Sequence, residues 1–208
     1  RDNTNYSDPS LSSYLNVPAA DRNKQLFELR TGKSINVNIN PFMVKFKALK
    51  TPGQRIYFAT GLGLQIYNFR YDAPITYIKQ PNSVIMDNIT FKKNKLALTY
   101  LNVPLMLTFK TRLYRDPKGR SKKDEWLIYG VGMSEGFLLN SVTKQISGQR
   151  GKIKVRDQFG LADLNTCVTA ELGVEGTFRF FGSYQLTSMY NNALDQHPIS
   201  FGIRFGGI

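Results

Sequence analysis

The stretch LALTYLNVPLMLTFK, Leu96–Lys110, decides the fold. It is long, apolar and rich in β-forming residues, with Pro104 at its centre. Proline has no N–H to give to a sheet ladder, so it belongs at an edge or a bulge. The apolar residues also change parity. Leu96, Leu98 and Tyr100 are even-numbered, whereas Leu101, Val103, Leu105, Leu107 and Phe109 are odd. This pattern predicts one long strand whose apolar face flips at a β-bulge marked by Pro104.

The segments around it follow the same rule. SINVNINPFMVKFKAL (34–49) sets Ile35, Val37 and Ile39 against asparagines, then flips at Pro41 to Phe42, Val44 and Phe46. Pro41 therefore predicts a second bulge. RIYFATGLGLQIYNFRY, EWLIYGVGMSEGFLLNSV, ADLNTCVTAELGVEGTF, FRFFGSYQLTSMY and PISFGIRFGGI alternate in the same way. Seven strands are recognisable, and no long helix is. Residues 1–33 read as a polar loop with a helical turn near AADRNKQLF, and residues 72–93 as a polar connection. The chain opens at Arg1 in a polar stretch, which reads as a processed or partial chain.

Two features separate these strands from those of a soluble sandwich. They run well beyond the roughly 5–6 residues of ordinary strands and reach the roughly 9–11 residues that cross a bilayer when tilted. The face opposite the apolar one combines glycines with Lys45, Lys47, Arg55, Glu171, Glu175 and Arg204. In a narrow barrel glycines make room inside and opposite charges pair there. Lys110 and Arg112 are the further candidates for this lumen charge network. Alternation alone also suits a soluble lipocalin-like barrel. The glycine-and-charge face favours lipid on the outside. Tyr67, Phe69, Tyr71, Tyr100, Tyr114, Trp126 and Tyr190, at strand ends, suit interfacial girdles.

Composition narrows the function. Mean hydropathy is −0.31, and no run reaches the roughly 18 apolar residues of a membrane helix, a test blind to barrel strands. One cysteine, Cys167, excludes an internal disulfide framework and a cysteine-based zinc site. It reads as a buried, inert thiol. The net charge of +13 is concentrated in two blocks. One, at 110–123, carries Arg115, Lys118, Arg120, Lys122 and Lys123. The other, at 144–156, carries Lys144, Arg150, Lys152, Lys154 and Arg156. Neither has the helical periodicity or stacking aromatics of nucleic-acid binders. Both read as loops; a solvated basic loop is the simpler reading, and docking of anionic lipid or a protein partner the functional one.

No catalytic set emerges. His197 is the only histidine. Asp195 and Ser200 are close in sequence, which leaves a lipid A-modifying hydrolase as a remote reading; a solvated loop histidine is the simpler one. Glu171 and Glu175 share a strand face, roughly 13 Å apart by strand rise, too far for a carboxylate pair on one substrate. No metal site and no cofactor motif are present in the sequence.

GKSINVNINPF, ATGLGLQIYNFRY, KLALTYLNVPLMLTFK and FGIRFGGI resemble the PorT-like outer-membrane β-barrel family of Bacteroidota. The resemblance runs from about Gly32 to Ile208, and its motifs are structural. It implies a small antiparallel up-and-down transmembrane barrel over 34–208, with eight strands expected. It implies outer-membrane localisation, with 1–33, 71–93, 143–162 and 190–198 facing outside. The expected function is a non-enzymatic structural or accessory subunit of a secretion or outer-membrane biogenesis complex. Its partners would be outer-membrane lipid, lipopolysaccharide and other envelope proteins. A stand-alone barrel with a narrow channel or a lipopolysaccharide-binding role is the alternative.

Overall fold

The computed structural model describes residues 1–114 and 125–205. In chain order the strands are β1 (Leu15–Asn16), β2 (Ile35–Lys50), β3 (Gln54–Arg70), β4 (Ile75–Ile78), β5 (Ser83–Met86) and β6 (Phe91–Tyr114), then β7 (Glu125–Ser147), β8 (Gly151–Arg156), β9 (Leu164–Val174), β10 (Arg179–Gln185) and β11 (Ile199–Arg204). Seven of them form one antiparallel path, β11-β10-β9-β7-β6-β3-β2, and β8 pairs with the far end of β7. The sheet curls strongly into a half-barrel, open along one seam between β2 and β11.

Strand β6 never changes face. Its even-numbered residues are buried on the concave side from Asn94 to Lys110, Pro104 included. The pairing with β7 passes Pro104↔Ser134 in step, and Thr60↔Leu105 and Gly63↔Asn102 keep one register with β3. The bulge expected at Pro104 is therefore absent. The apolar residues switch parity because the surroundings switch. Above Tyr100 the concave side is an apolar core holding Leu96 and Leu98, while the convex side carries Lys93 and Lys95. Below it the concave side holds Asn102, Thr108 and Lys110, while Leu105 and Leu107 stand exposed outside.

At Pro41 a bulge does form. The β2–β3 register shifts between Ile39↔Leu64 and Phe42↔Leu62, one extra residue on β2. Ile35, Val37 and Ile39 before it, and Phe42, Val44 and Phe46 after it, all face outward. Opposite the bulge, a Cβ on Gly61 would overlap the Phe42 carbonyl oxygen, and one on Gly63 would lie 2.6 Å from the Ile39 carbonyl oxygen. Side chains at both positions are excluded by the closeness of the two backbones. On its other edge, β3 has no paired residues on β6 between Thr60 and Gly63, where Pro104 supplies no donor.

One end of the sheet is closed by a cap built from 1–33, 71–90, 157–163 and 186–198. Its 3₁₀ turns at Pro9–Ser12 and Lys24–Phe27 start on Asp8 and Asn23, whose side chains accept from the N–H groups of Ser10 and Gln25. Residues 72–93 are more than a polar connection. They hold β4 and β5, which with β1 make a three-stranded sheet and bury Ile75, Tyr77 and Val84. Leu11, Leu15, Leu26, Phe159, Leu161 and Leu194 complete the cap's core against Leu96, Leu98 and Tyr100. Six of the seven aromatics expected at girdles are core residues, and the Tyr114 side chain lies outside the described residues. Tyr67, Phe69, Tyr71, Tyr100, Trp126 and Tyr190 are all buried.

Candidate functional site

The concave face of the lower sheet is polar and ion-paired. Glu171 on β9 has no exposed side-chain surface; it accepts from Arg179 Nη1 at 2.9 Å and from Arg204 Nη1 at 2.6 Å. Lys110 Nζ donates to Glu175 Oε1 at 2.6 Å. Arg55 and Arg112 both lie over the Trp126 ring, 4.0 Å and 4.9 Å from its centroid, a cation–π arrangement. Lys45 and Lys47 stand opposite Ala59 and Tyr57, on β2 beside the open seam. Arg179 also belongs to this network, a member that alternation alone did not single out. It follows the turn after β9, inside an aromatic run. At mid-height, among Asn38, Gln65, Asn102, Met106 and Ser183, an interior space of about 30 Å³ remains, room for about two waters.

The convex face is the reverse. Phe42, Phe180, Phe201 and Phe205 are 70%, 60%, 84% and 79% exposed, and Val44, Val131 and Leu172 are more than half exposed. Each such side chain left in water forgoes about 1.5–3 kcal/mol. Polarity is thus inverted: apolar outside, ionic inside. Within this apolar belt stands Glu135, between Met133 and Phe137 on β7 and opposite Val103 and Thr166. Its Oε2 accepts from Thr166 Oγ1 at 2.7 Å, and its Oε1 is buried without a partner.

The cap seals the upper end. Tyr71 and Tyr77 hydroxyls lie 2.8 Å apart, and Tyr77 and Tyr190 hydroxyls 2.6 Å apart. Tyr14 donates to the Phe159 carbonyl at 2.6 Å. Burial pushes the Tyr71 phenol up to about 12. The His197 ring has both nitrogens engaged, Nε2 with Asp195 Oδ1 at 2.7 Å and Nδ1 with the Gln185 carbonyl at 3.1 Å. Ser200 Oγ accepts from Asn36 instead. Cys167 is buried, in contact with Asn165 and Tyr67.

Of the basic residues, Arg115, Lys118, Arg120, Lys122 and Lys123 lie outside the described residues. Lys144 lies on β7, and Lys152, Lys154 and Arg156 on β8, so this block is a hairpin and not a loop. Arg150 sits at its tip. It is bound to both oxygens of Asp87, at 2.6 Å and 3.1 Å, and so anchors the hairpin to the cap.

At the seam, Asn36 Nδ2 donates to Ser200 Oγ at 3.1 Å across the two edge strands. Above it Arg1 and His197 exchange both backbone bonds, and Asn3 N–H donates to the Asp195 carbonyl. A cleft of about 630 Å³ opens there, lined by Arg1, Leu29, Thr31, Phe69, His197 and Ile199. No protein-family model, curated protein or solved structure matches this chain; the finding is the fold, a strongly curled antiparallel half-barrel.

Proposed function

We propose that this chain is a non-enzymatic integral outer-membrane β-barrel, a structural or accessory subunit of a larger envelope complex. The observation that carries the reading is the inverted polarity: an apolar convex belt around an ion-paired interior. Lipid is the solvent in which that arrangement is favourable. The resemblance to PorT-like barrels agrees with it. In lipid an unpaired strand edge is not tolerated, because each unsatisfied backbone group costs several kcal/mol. The seam between β2 and β11 therefore takes one more antiparallel strand, giving eight.

Glu135 supports a subunit over a lone barrel. A carboxylate within a belt that faces hydrocarbon is unfavourable, and a neighbouring protein packed over this side chain would remove it from contact with lipid. The narrow-channel alternative has less support. The interior is filled by side chains and the cap core lies over one end. The lipid A-modifying reading has least, since Asp195 and the Gln185 carbonyl take both His197 nitrogens and Ser200 is bound to Asn36. The test is to extract native membranes in mild detergent and size the species that contains the chain. A discrete particle with co-migrating proteins is the expected result. Migration alone, with steady conductance steps in a planar bilayer, would replace the subunit reading by the channel.

A further inference from the structure

The sheet register places four cations side by side. Arg70 pairs with Lys95, Lys95 with Lys144, and Lys144 with Lys154, across β3, β6, β7 and β8. Directly paired residues share a face, here the convex one, and like charges directly opposite one another are destabilising. Lys93 and Lys152 flank the row, each opposite Ile146. The acids at this rim are already engaged: Asp72 holds Arg30, and Asp87 holds Arg150. Among the described residues no carboxylate lies within ion-pair distance of the row. Lys95 Nζ finds only the Asn68 side-chain oxygen. Its pKa is lowered, by burial first and then by Lys93, Lys144, Arg70 and Lys154. That of Lys144 is lowered by Lys93 first.

Height matters as much as charge. On the same face of β6 the apolar residues run from Phe109 up to Leu101, followed by Thr99, Ala97 and then Lys95. With a strand rise of about 3.4 Å and a tilt of about 40°, Lys95 stands roughly 10 Å above Thr99. If Thr99 marks the top of a belt about 25 Å tall, the row lies at headgroup level.

We propose that Arg70, Lys95, Lys144 and Lys154 form a row that binds the phosphates of anionic lipid headgroups. A run of phosphates at the leaflet surface supplies the counter-charge the fold omits, and it reaches the row laterally. This rests on the membrane-spanning reading above.

The test uses the full chain. Flotation with neutral phosphatidylcholine vesicles is read first; a chain that fails to float refutes the membrane reading itself. In zwitterionic micelles the chain is then titrated with phosphatidate, with diacylglycerol lacking the phosphate, and with inorganic phosphate. Phosphatidate should bind, and Lys95→Gln/Lys144→Gln/Lys154→Gln should weaken it on the order of 100-fold, at about one factor of five per lost charge. Lys24→Gln/Lys33→Gln/Lys50→Gln, with the same net charge, should retain affinity. The row variant removes opposed like charges, so its melting temperature should not fall. In a chain that floats, the proposal is overturned if the row variant binds like wild type, or if diacylglycerol matches phosphatidate. Equal affinity for inorganic phosphate would assign the row to free phosphate and remove the lipid.

Discussion

Arg204 on β11 reaches past β10 to place its Nη1 2.6 Å from Glu171 Oε2 on β9. The same carboxylate takes Arg179 from β10 through its other oxygen. One acid thus ties three strands together from inside the curl, beside the open seam. Glu171→Gln removes the carboxylate that both guanidiniums share and should cost about 3–5 kcal/mol. Urea unfolding in lipid vesicles measures it. A second substitution, Arg204→Met, should recover part of the loss, because it removes a charge whose ion pair is with Glu171.

Glu135 gives the opposite sign in the isolated barrel. Glu135→Leu removes a carboxylate from the apolar belt and should raise stability in vesicles by about 1 kcal/mol. If the chain is the subunit proposed above, the same variant should lose co-migrating protein when native membranes are sized. Retention of the partner at wild-type stoichiometry would place the subunit contact elsewhere.

Gly61 faces the Phe42 carbonyl across the bulge, with no space for a side chain. Gly61→Val should cost about 1–3 kcal/mol, the usual penalty of overpacking. Gly32→Ala, in open space, should be neutral. The pair separates steric exclusion at the bulge from a general effect of losing glycine.

The cap tyrosines set an alkaline limit. Burial raises the Tyr71 phenol from the usual 10.0 to about 12, and it raises Tyr14, Tyr77 and Tyr190 too. A raised folded value means the folded state holds its proton more tightly than the unfolded chain. That stability is fully present below pH 10 and is lost as pH rises towards 12 and beyond. Absorbance at the phenolate band should show these tyrosines ionising together with loss of the cap's near-ultraviolet circular dichroism. Ionisation near pH 10 in the folded protein would mean that the cap is solvated.

What the sequence disclosed, and what it hid, follows from register and environment. The Pro41 bulge was legible because surroundings are the same on both sides of it, so the apolar parity reports the face. Around Pro104 the same evidence misled. The inside changes from cap core to ionic lumen near Tyr100, and the parity switch records that change of medium. Lys110, Glu171, Glu175 and Arg204 stood out as charges on a glycine-rich face, whereas Arg179 was hidden among phenylalanines. Only half of the row from Arg70 to Lys154 was legible: Lys144 and Lys154 stood out in a basic block, whereas Arg70 and Lys95 did not. Its members lie in three distant segments, and only strand pairing brings them abreast. The girdle tyrosines were misassigned because a strand end buried by a cap resembles a strand end at an interface.

The two prolines have a joint consequence for motion. Pro41 and Pro104 lie on either side of Gly61–Gly63 in β3, one through a bulge and the other through a missing donor. At that height the wall has fewer cross-ties on both flanks of one small-residue segment. Elastic compliance should concentrate there, so the amides of β3 near Leu62 should exchange with deuterium sooner than those near Tyr67 or Tyr57. The curled sheet would then flex about a fixed line while the ion-paired strands β9–β11 hold their shape.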